Sequence, residues 1–502
     1  MATRFTTDVL ICGAGAAGLS LALELARRAI SFRLIEKMDA PFRGSRGKGL
    51  QPRTQEIFSD LGILDRLTAA GGEYPKERRY HDDGSYEDAD VIAAAEPTPA
   101  EPFQRALMVP QFITESVMRE RLAELGHAPS YATELVGLTP DAEGVTALVQ
   151  GPQGQQALRV RWLIGADGGR SFVRHALGVD FPGKTLGVRA IVADVMLRGL
   201  DRQAWHRFGA DDVARQIYLC PLAGTDMFQI QGPVAGDAEV DLSADGLTAL
   251  VAARSGRADI RVDAVSWASL YTMNARLADR YRVGNVLLVG DAAHIHPPTG
   301  GQGLNTSVQD AYNLAWKLAA VTNGAPPALL DSYEQERRPI AAEVLGLSTR
   351  LLQVQGREGV RRGREVKQLD LGYRGQALAL ERPSRTARLR AGDRAPDAPI
   401  RAAAGQPTRL FDLFAGTHWT LIGYGTRRDA VRPRPGLHIH IFGPGGDMLD
   451  DGAHFASAYE PAPASWVLVR PDGYVGAMVG ADERAALEDY LSAVGVVPLP
   501  HH

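Results

Sequence analysis

Asp8-Val-Leu-Ile-Cys12-Gly13-Ala-Gly15-Ala-Ala17-Gly18-Leu-Ser-Leu-Ala-Leu-Glu-Leu-Ala26 is the stretch whose reading decides the fold. Val9 to Cys12 reads as a short buried strand. Leu19 to Arg28 has helical spacing, with Leu19, Leu23 and Ala26 on one face. Between them Gly13 to Gly18 spell G-x-G-x-x-G. In that pattern the first glycine permits a tight turn, the second lets backbone approach a pyrophosphate, and the third lets helix and strand pack closely. The helix N-terminus offers free N–H groups and a partial positive charge to phosphate. A second strand, Ser31-Phe-Arg-Leu-Ile-Glu36, ends on an acid 18 residues past Gly18. That is near the spacing of a carboxylate that holds a ribose diol. Strand, glycine turn, helix, strand and terminal acid together point to a dinucleotide site.

Moving outward, residues 40–56 form a basic, glycine-rich loop in which Arg43, Arg46 or Lys48 can reach phosphate, with Thr54 the expected cap of the next helix. Residues 72–105 are acidic and Ala/Pro-rich and read as strands and loops of a second layer. Val109-Pro-Gln111 opens a helix that is amphipathic from Thr114 to Leu125. Three short strands follow (Tyr131–Leu138, Val145–Gln150, Ala157–Leu163), and the last runs into Gly165-Ala-Asp167-Gly168, with Ser171 placed to cap a further helix. From 186 to 273 the pattern is mostly β, at Val188–Leu197, Val213–Leu222, Asp226–Gly232 and Ala264–Met273, with a helix over Asp241–Arg254.

A second strong signal lies at 284–318. A buried strand ends in Gly290-Asp291, a Pro/Gly loop carries His294, His296 and Pro298, and a helix begins near Leu304 to Thr306. A row of bare N–H groups at such a helix start suits an anionic or electron-rich planar ring. Helices are expected at Pro326–Glu336 and Pro339–Gln355, with an Arg-rich stretch at 357–366 and a linker at 383–399. A last α/β unit has strands near Trp419–Gly423, Leu437–Ile441 and Ser465–Arg470, and a closing helix at Asp482–Ala493.

The totals exclude several classes. The 502 residues suffice for two to four domains. Charged content of 23% and hydrophobic content of 45% are ordinary for a globular protein, and a net charge of −4 leaves no electrostatic footprint for nucleic acid. There is no apolar run of about 18 residues, so no membrane span is expected. The N-terminus runs into the first strand without a secretory signal, and the two cysteines, Cys12 and Cys220, fit a reducing compartment, so a cytoplasmic protein is expected. No metal site is expected, and His294 and His296 read as structural members of their loop.

Three segments stand in a telling order: Gly13–Gly18 with Glu36, then Gly165–Gly168 with Arg170 and Arg174, then Gly290–Asn305. Over residues 5–380 this order resembles the single-component FAD aromatic hydroxylases, the flavoprotein monooxygenases with the p-hydroxybenzoate hydroxylase fold. The tail from Gly392-Asp-Arg-Ala-Pro-Asp397 resembles the thioredoxin-like C-terminal domain of phenol and aromatic polyketide hydroxylases; it has no cysteine, so a structural or oligomeric role is expected.

The resemblance implies roles residue by residue. Gly13, Gly15, Ala16, Ala17 and Gly18 would cradle the FAD pyrophosphate, and Glu36 the adenosine ribose with Lys37 beside it. Arg46 and Gln111 would meet the phosphate or ribityl side, and Leu135 the adenine. Asp167 would serve FAD and NAD(P)H binding or cap its own turn, and Asp291 the ribityl hydroxyls. Pro298, Gly301, Gly303, Leu304 and Asn305 would line the isoalloxazine. The implied chemistry is reduction of FAD by NADPH or NADH, reaction with O₂ to a C4a-hydroperoxide, and attack on an electron-rich aromatic carbon. With no second G-x-G-x-x-G, the nicotinamide is expected to visit transiently, and the glycines at 44, 47, 49, 300, 301 and 303 to let the flavin swing. Tyr218 and Gln229, polar positions on neighbouring strands, are candidate substrate contacts; no catalytic side chain is nominated.

The expected fold is thus α/β. A Rossmann-like FAD-binding domain spans 1–185 and 274–330, with part of 72–105 on the substrate side. A mostly antiparallel substrate domain occupies 186–273, a helical connection 331–390, and a thioredoxin-like domain 391–502. The expected partners are a small aromatic molecule and O₂, with a monomer or homodimer left open. A flavin halogenase, a double-bond reductase and a ligand-sequestering flavoprotein are the competing readings. The halogenase reading lacks its Trp-x-Trp-x-Ile-Pro segment here.

Overall fold

The computed structural model describes residues 5–498 apart from 94, 210, 211, 213, 237, 298, 356–362, 385 and 444. Pro298, Val213 and most of the Arg-rich 357–366 stretch therefore lie outside the described residues. Three large sheets carry the molecule. In the first, strands run in the order Arg282–Val283, Val286–Leu288, Gly154–Gly165, Thr7–Cys12, Phe32–Ile35. Thr7–Cys12 sits at its centre, parallel to both neighbours, with Leu10 opposite Arg33 and Ile11 opposite Ile164. Such a strand is covered on both faces, which is why Val9, Leu10 and Ile11 form a continuous apolar run. Helix α1 (Ala16–Arg27) follows it.

The second sheet holds eight strands and includes Gly183–Arg198, Arg261–Leu277, Phe228–Val234 and Ile217–Pro221 in antiparallel pairing. Lys76–Tyr80 and Tyr86–Ala89 extend it, so part of 72–105 does join this layer. One strand, Ala204–Phe208, was not expected: His206 and Arg207 break its apolar pattern. Both are buried because His206 Nδ1 meets the Tyr80 hydroxyl at 2.9 Å and Arg207 meets Glu77 at 3.2 Å.

The third sheet takes its edge strand from Leu380–Arg382, ahead of residue 391, and includes Val475–Gly480, Ser465–Val469, Trp419–Tyr424 and Leu437–Phe442. Two local expectations are corrected. Helix α2 runs Pro52–Asp60 and starts at Gln51 rather than being capped by Thr54, because Pro52 suits the first helical position. Helix α3 (Gln111–Glu124) opens directly after Pro110, as expected. Helix α4 (Gly303–Thr322) is followed by one unbroken helix α5 (Asp331–Gln355) where two were expected. Pro339 sits inside α5 on its exposed side, where a missing N–H costs least. Ser171 does cap its helix, accepting from the Arg174 N–H at 2.9 Å.

Candidate active site

The three glycines of the first turn differ in what demands them. Gly13 has φ +109°, and a Cβ there would lie 2.3 Å from the Ala166 carbonyl oxygen. A Cβ on Gly18 would lie 1.9 Å from the Gly13 carbonyl oxygen. Both are required by the protein's own packing. At Gly15 the nearest atom is Glu115 Oε1, 3.8 Å away, so the protein itself has room for a side chain. The bare backbone there leaves the N-terminus of α1 open to close approach, as an anion requires. Ala16 and Ala17 form the buried first residues of α1. Glu36 closes the far side: its carboxylate accepts from the Ala14 N–H at 2.8 Å and the Met38 N–H at 3.0 Å. Lys37 is exposed beside it, and the chain leading to buried Leu135 is tied there by the Thr133 N–H donating to the Glu36 carbonyl.

Arg46, Gln111 and Asp291 converge from three segments. Gln111 is bonded to Gly47 twice, through its N–H at 2.9 Å and through Oε1, which accepts the Gly47 N–H at 3.3 Å. The exposed Arg46 guanidinium lies 5.1 Å from the Phe42 ring centre. The Asp291 carboxyl is accessible yet enclosed: burial raises it, against His294 and Arg46. Asp167 caps its own turn: Oδ2 accepts the Val173 N–H at 3.1 Å, while Oδ1 is buried with no hydrogen-bond partner among the described residues.

At the start of α4, Asn305 acts as a latch. Its Nδ2 donates to the Gly49 and Gly301 carbonyls at 2.8 and 2.7 Å, and its Oδ1 accepts the Gln51 N–H at 2.8 Å. Gly303 and Leu304 precede it on the same turn. Beneath lies a fully buried charge cluster. Asp310 meets His294 Nε2 at 2.6 Å, Arg337 Nε at 2.7 Å and the Gly290 N–H at 3.2 Å. Burial opposes its charge, but His294 and Arg337 outweigh it and hold the carboxyl below its ordinary value. His296 stacks on His294 and is pushed down to about 4 by burial and by that neighbour. Both histidines thus serve the loop, and no group of metal-binding side chains occurs among the described residues.

The loop glycines divide as well. Gly300 and Gly301 have φ of +79° and +64°. Gly44 and Gly49 are instead close-approach positions, where a Cβ would fall 2.3 Å from the Trp267 ring and the Tyr74 hydroxyl.

Gln229 and Tyr218 lie on adjacent strands, and Gln229 is enclosed in a network that sequence reading missed. Lys48 Nζ donates to its Oε1 at 2.8 Å, and its Nε2 donates to the Ser45 hydroxyl at 2.8 Å. Asp194 receives the Ser45 N–H and hydroxyl, each at 2.6 Å. This ties the 40–56 loop to the second sheet. The Tyr218 hydroxyl donates to Gln216 at 3.1 Å, and its ring lies against Trp205. A cleft of about 520 Å³ opens beside these strands, walled by Met108, Pro221, Ala223, Thr225 and Arg202. Of its walls, Met108 pairs with Gly49, whose carbonyl accepts from Asn305 at the start of α4.

A glycine cradle on a parallel strand, an enclosed carboxyl and a latched helix start define a dinucleotide-binding flavoprotein. The FAD binding domain family model matches residues 6–348, and the model for the aromatic-ring hydroxylase C-terminal region matches 388–495. A flavin-dependent monooxygenase of Mycobacteroides abscessus is 41% identical over 492 residues, covering 97% of this chain and 99% of its own. Among solved structures, the flavin-dependent monooxygenase PieE in complex with FAD and substrate is similar at TM-score 0.86 and 25% identity, over 97% of this chain and 98% of its own. Aklavinone-11 hydroxylase, in ternary complex with FAD and aklavinone, is similar at TM-score 0.83 and 26% identity, over 98% and 99%. The chain belongs to the FAD-dependent aromatic-ring hydroxylase family of flavoprotein monooxygenases, and FAD is its cofactor. No helix among the described residues is long and apolar enough to cross a membrane.

Proposed function

We propose that this protein hydroxylates a phenolic or polycyclic aromatic molecule with NADPH or NADH and O₂. The residues present fit FAD. The open backbone at Gly15, Ala16 and Ala17, beside the tight turn of Gly13 and Gly18, would take the diphosphate. Glu36, with Lys37 beside it, would take the ribose, and Leu135 the adenine. Arg46, Gln111, Asp167 and Asp291 would line the ribityl side, and Gly301, Gly303, Leu304 and Asn305 the ring. Bound FAD supplies two-electron uptake from the nicotinamide and transfer of one oxygen atom from O₂ to an aromatic carbon.

The chain's own contribution is placement and charge. The first N–H groups of α4 and its dipole would favour negative charge on a bound ring. Asn305 fixes that turn against Gly49 and Gln51. The Arg337–Asp310–His294 cluster holds the loop from below. The observations that support the substrate reading are the 520 Å³ cleft beside the Ile217–Pro221 strand and the likeness, over 98% of the chain, to aklavinone-11 hydroxylase in complex with FAD and aklavinone. That volume is within the range of pockets for drug-sized ligands. Tyr218 lies on the strand whose last residue, Pro221, lines the cleft, while Gln229 on the neighbouring strand anchors the 40–56 loop.

The test is isotopic. FAD-loaded protein is supplied with NADPH or NADH, ¹⁸O₂ and a panel of phenols and fused-ring aromatics. One ¹⁸O atom in a hydroxylated product is the expected result. A halogenated or hydrogenated product, or nicotinamide consumption that no aromatic raises, would contradict it.

A further inference from the structure

Glu115 is a buried carboxyl at the mouth of the diphosphate cradle, and no role in the chemistry above uses it. It is 1% exposed and projects from α3 toward the N-terminus of α1. Its Oε1 lies 3.8 Å from the position of a Cβ on Gly15, and it accepts a hydrogen bond from Gln111 Nε2 at 2.8 Å. Gln111 is itself bonded to Gly47, next to Arg46. A second negative group thus occupies the same helix N-terminus that the diphosphate needs.

We propose that Glu115 couples FAD binding to proton uptake: its carboxyl is neutral when the diphosphate is seated on α1, and its ionisation at higher pH weakens FAD binding. The inference rests on FAD occupying the cradle as described above. The groups facing Glu115 are few. Burial raises its carboxyl to about 7, while the Gln111 amide, the Arg119 guanidinium and the Ala16 N–H pull it back and Glu36 opposes them. Tyr131, on the far side, also feels its charge. No lysine or arginine is hydrogen-bonded to it among the described residues. The diphosphate's two negative charges raise it further. Binding above pH 7 therefore requires a proton, and affinity falls by up to tenfold per pH unit there.

The test measures the FAD dissociation constant of full-length protein stripped of FAD, from pH 6 to 9, for the wild type and Glu115→Gln, with titration calorimetry at pH 8 in two buffers of different ionisation enthalpy. The amide mimics the protonated carboxyl in shape. The expected result is equal affinity at pH 6, at least tenfold tighter binding by Glu115→Gln at pH 8.5, and uptake of close to one proton by the wild type alone. Parallel pH profiles within twofold, or no proton uptake, would overturn the proposal while leaving the cradle intact. Failure of both proteins to bind FAD at every pH would overturn it together with the cradle.

Discussion

Glu336 and Glu115 are both buried carboxyls, and the molecule treats them in opposite ways. Glu336, on α5, receives Arg470 in a two-pronged pair at 2.7 and 2.9 Å, Lys317 at 2.6 Å and Asn313 at 2.8 Å. Burial opposes its charge, but Arg470 and Lys317 outweigh it and hold it down at about 2. Glu115 has only the Gln111 amide and the Ala16 N–H as partners and is pushed up to about 7. The first belongs to a brace between the FAD-binding region and the third sheet. Asp472, on the tight turn of that sheet, binds Arg470 and receives the Trp316 indole N–H at 3.0 Å, and its carbonyl receives Arg53 at 2.6 Å. A brace is complete in its own charges. A cradle for an anion is not, because its donors are aimed at the ligand. The cysteine-free C-terminal region therefore acts here through its buried turn, reaching α2 directly beside the Gln51–Asn305 latch.

The largest expected effect breaks the brace. Arg470→Ala leaves Glu336 and Asp472 buried with an incomplete partner set, and should cost about 3–5 kcal/mol in unfolding free energy, read by urea denaturation. A loss below about 1 kcal/mol would show that the cluster is not acting as one unit. The acid limb sharpens the same point. Glu336 is depressed from 4.5 to about 2. Its stabilisation is fully present above about 4.5 and disappears as pH falls through 2, by about 3 kcal/mol. Glu115 has the opposite sign: raised in the folded state, it costs stability once pH exceeds about 4.5, and increasingly up to 7. Urea midpoints of Glu336→Gln should decline less steeply from pH 5 to 2 than those of the wild type; equal slopes would sink the assignment.

The cradle side gives smaller effects on folding and larger ones on FAD. In Gly15→Ala the added Cβ lies 3.8 Å from its nearest protein atom, Glu115 Oε1, so its melting temperature should stay near the wild type. Its FAD affinity should drop about 100-fold, about 2.7 kcal/mol, by fluorescence titration. Unfolding with FAD affinity retained would reverse that reading. Asn305→Ala removes three hydrogen bonds at the α4 start and should cost about 1–3 kcal/mol, with slower substrate-stimulated turnover. Smallest is Ser171→Ala, the loss of one helix cap at about 1 kcal/mol, with FAD affinity unchanged.

Much of this was legible in the sequence because backbone requirements leave signatures. Gly13 and Gly18 are forced by contacts shorter than any Cβ tolerates, and the parallel strand around Ile11 by its unbroken apolar run. The Gly290–Asn305 loop announced itself by its glycines. What stayed hidden depends on pairing across long separations. The strand Ala204–Phe208 was masked by His206 and Arg207, whose partners Tyr80 and Glu77 lie more than 120 residues away. Gln229 looked like a free polar position on a strand, yet Lys48 and Ser45 enclose it from 181 and 184 residues away. Glu115 reads as one more acid on an amphipathic helix, because only the packing of α3 against α1 buries it.

The measurement that bears most directly on the account is stopped-flow absorbance of the bound flavin mixed anaerobically with NADPH or NADH, with and without a panel of phenols and polycyclic aromatics. The account predicts that at least one aromatic accelerates flavin reduction strongly and then consumes O₂ in step with hydroxylated product. Tightly bound flavin whose reduction no aromatic accelerates would contradict it.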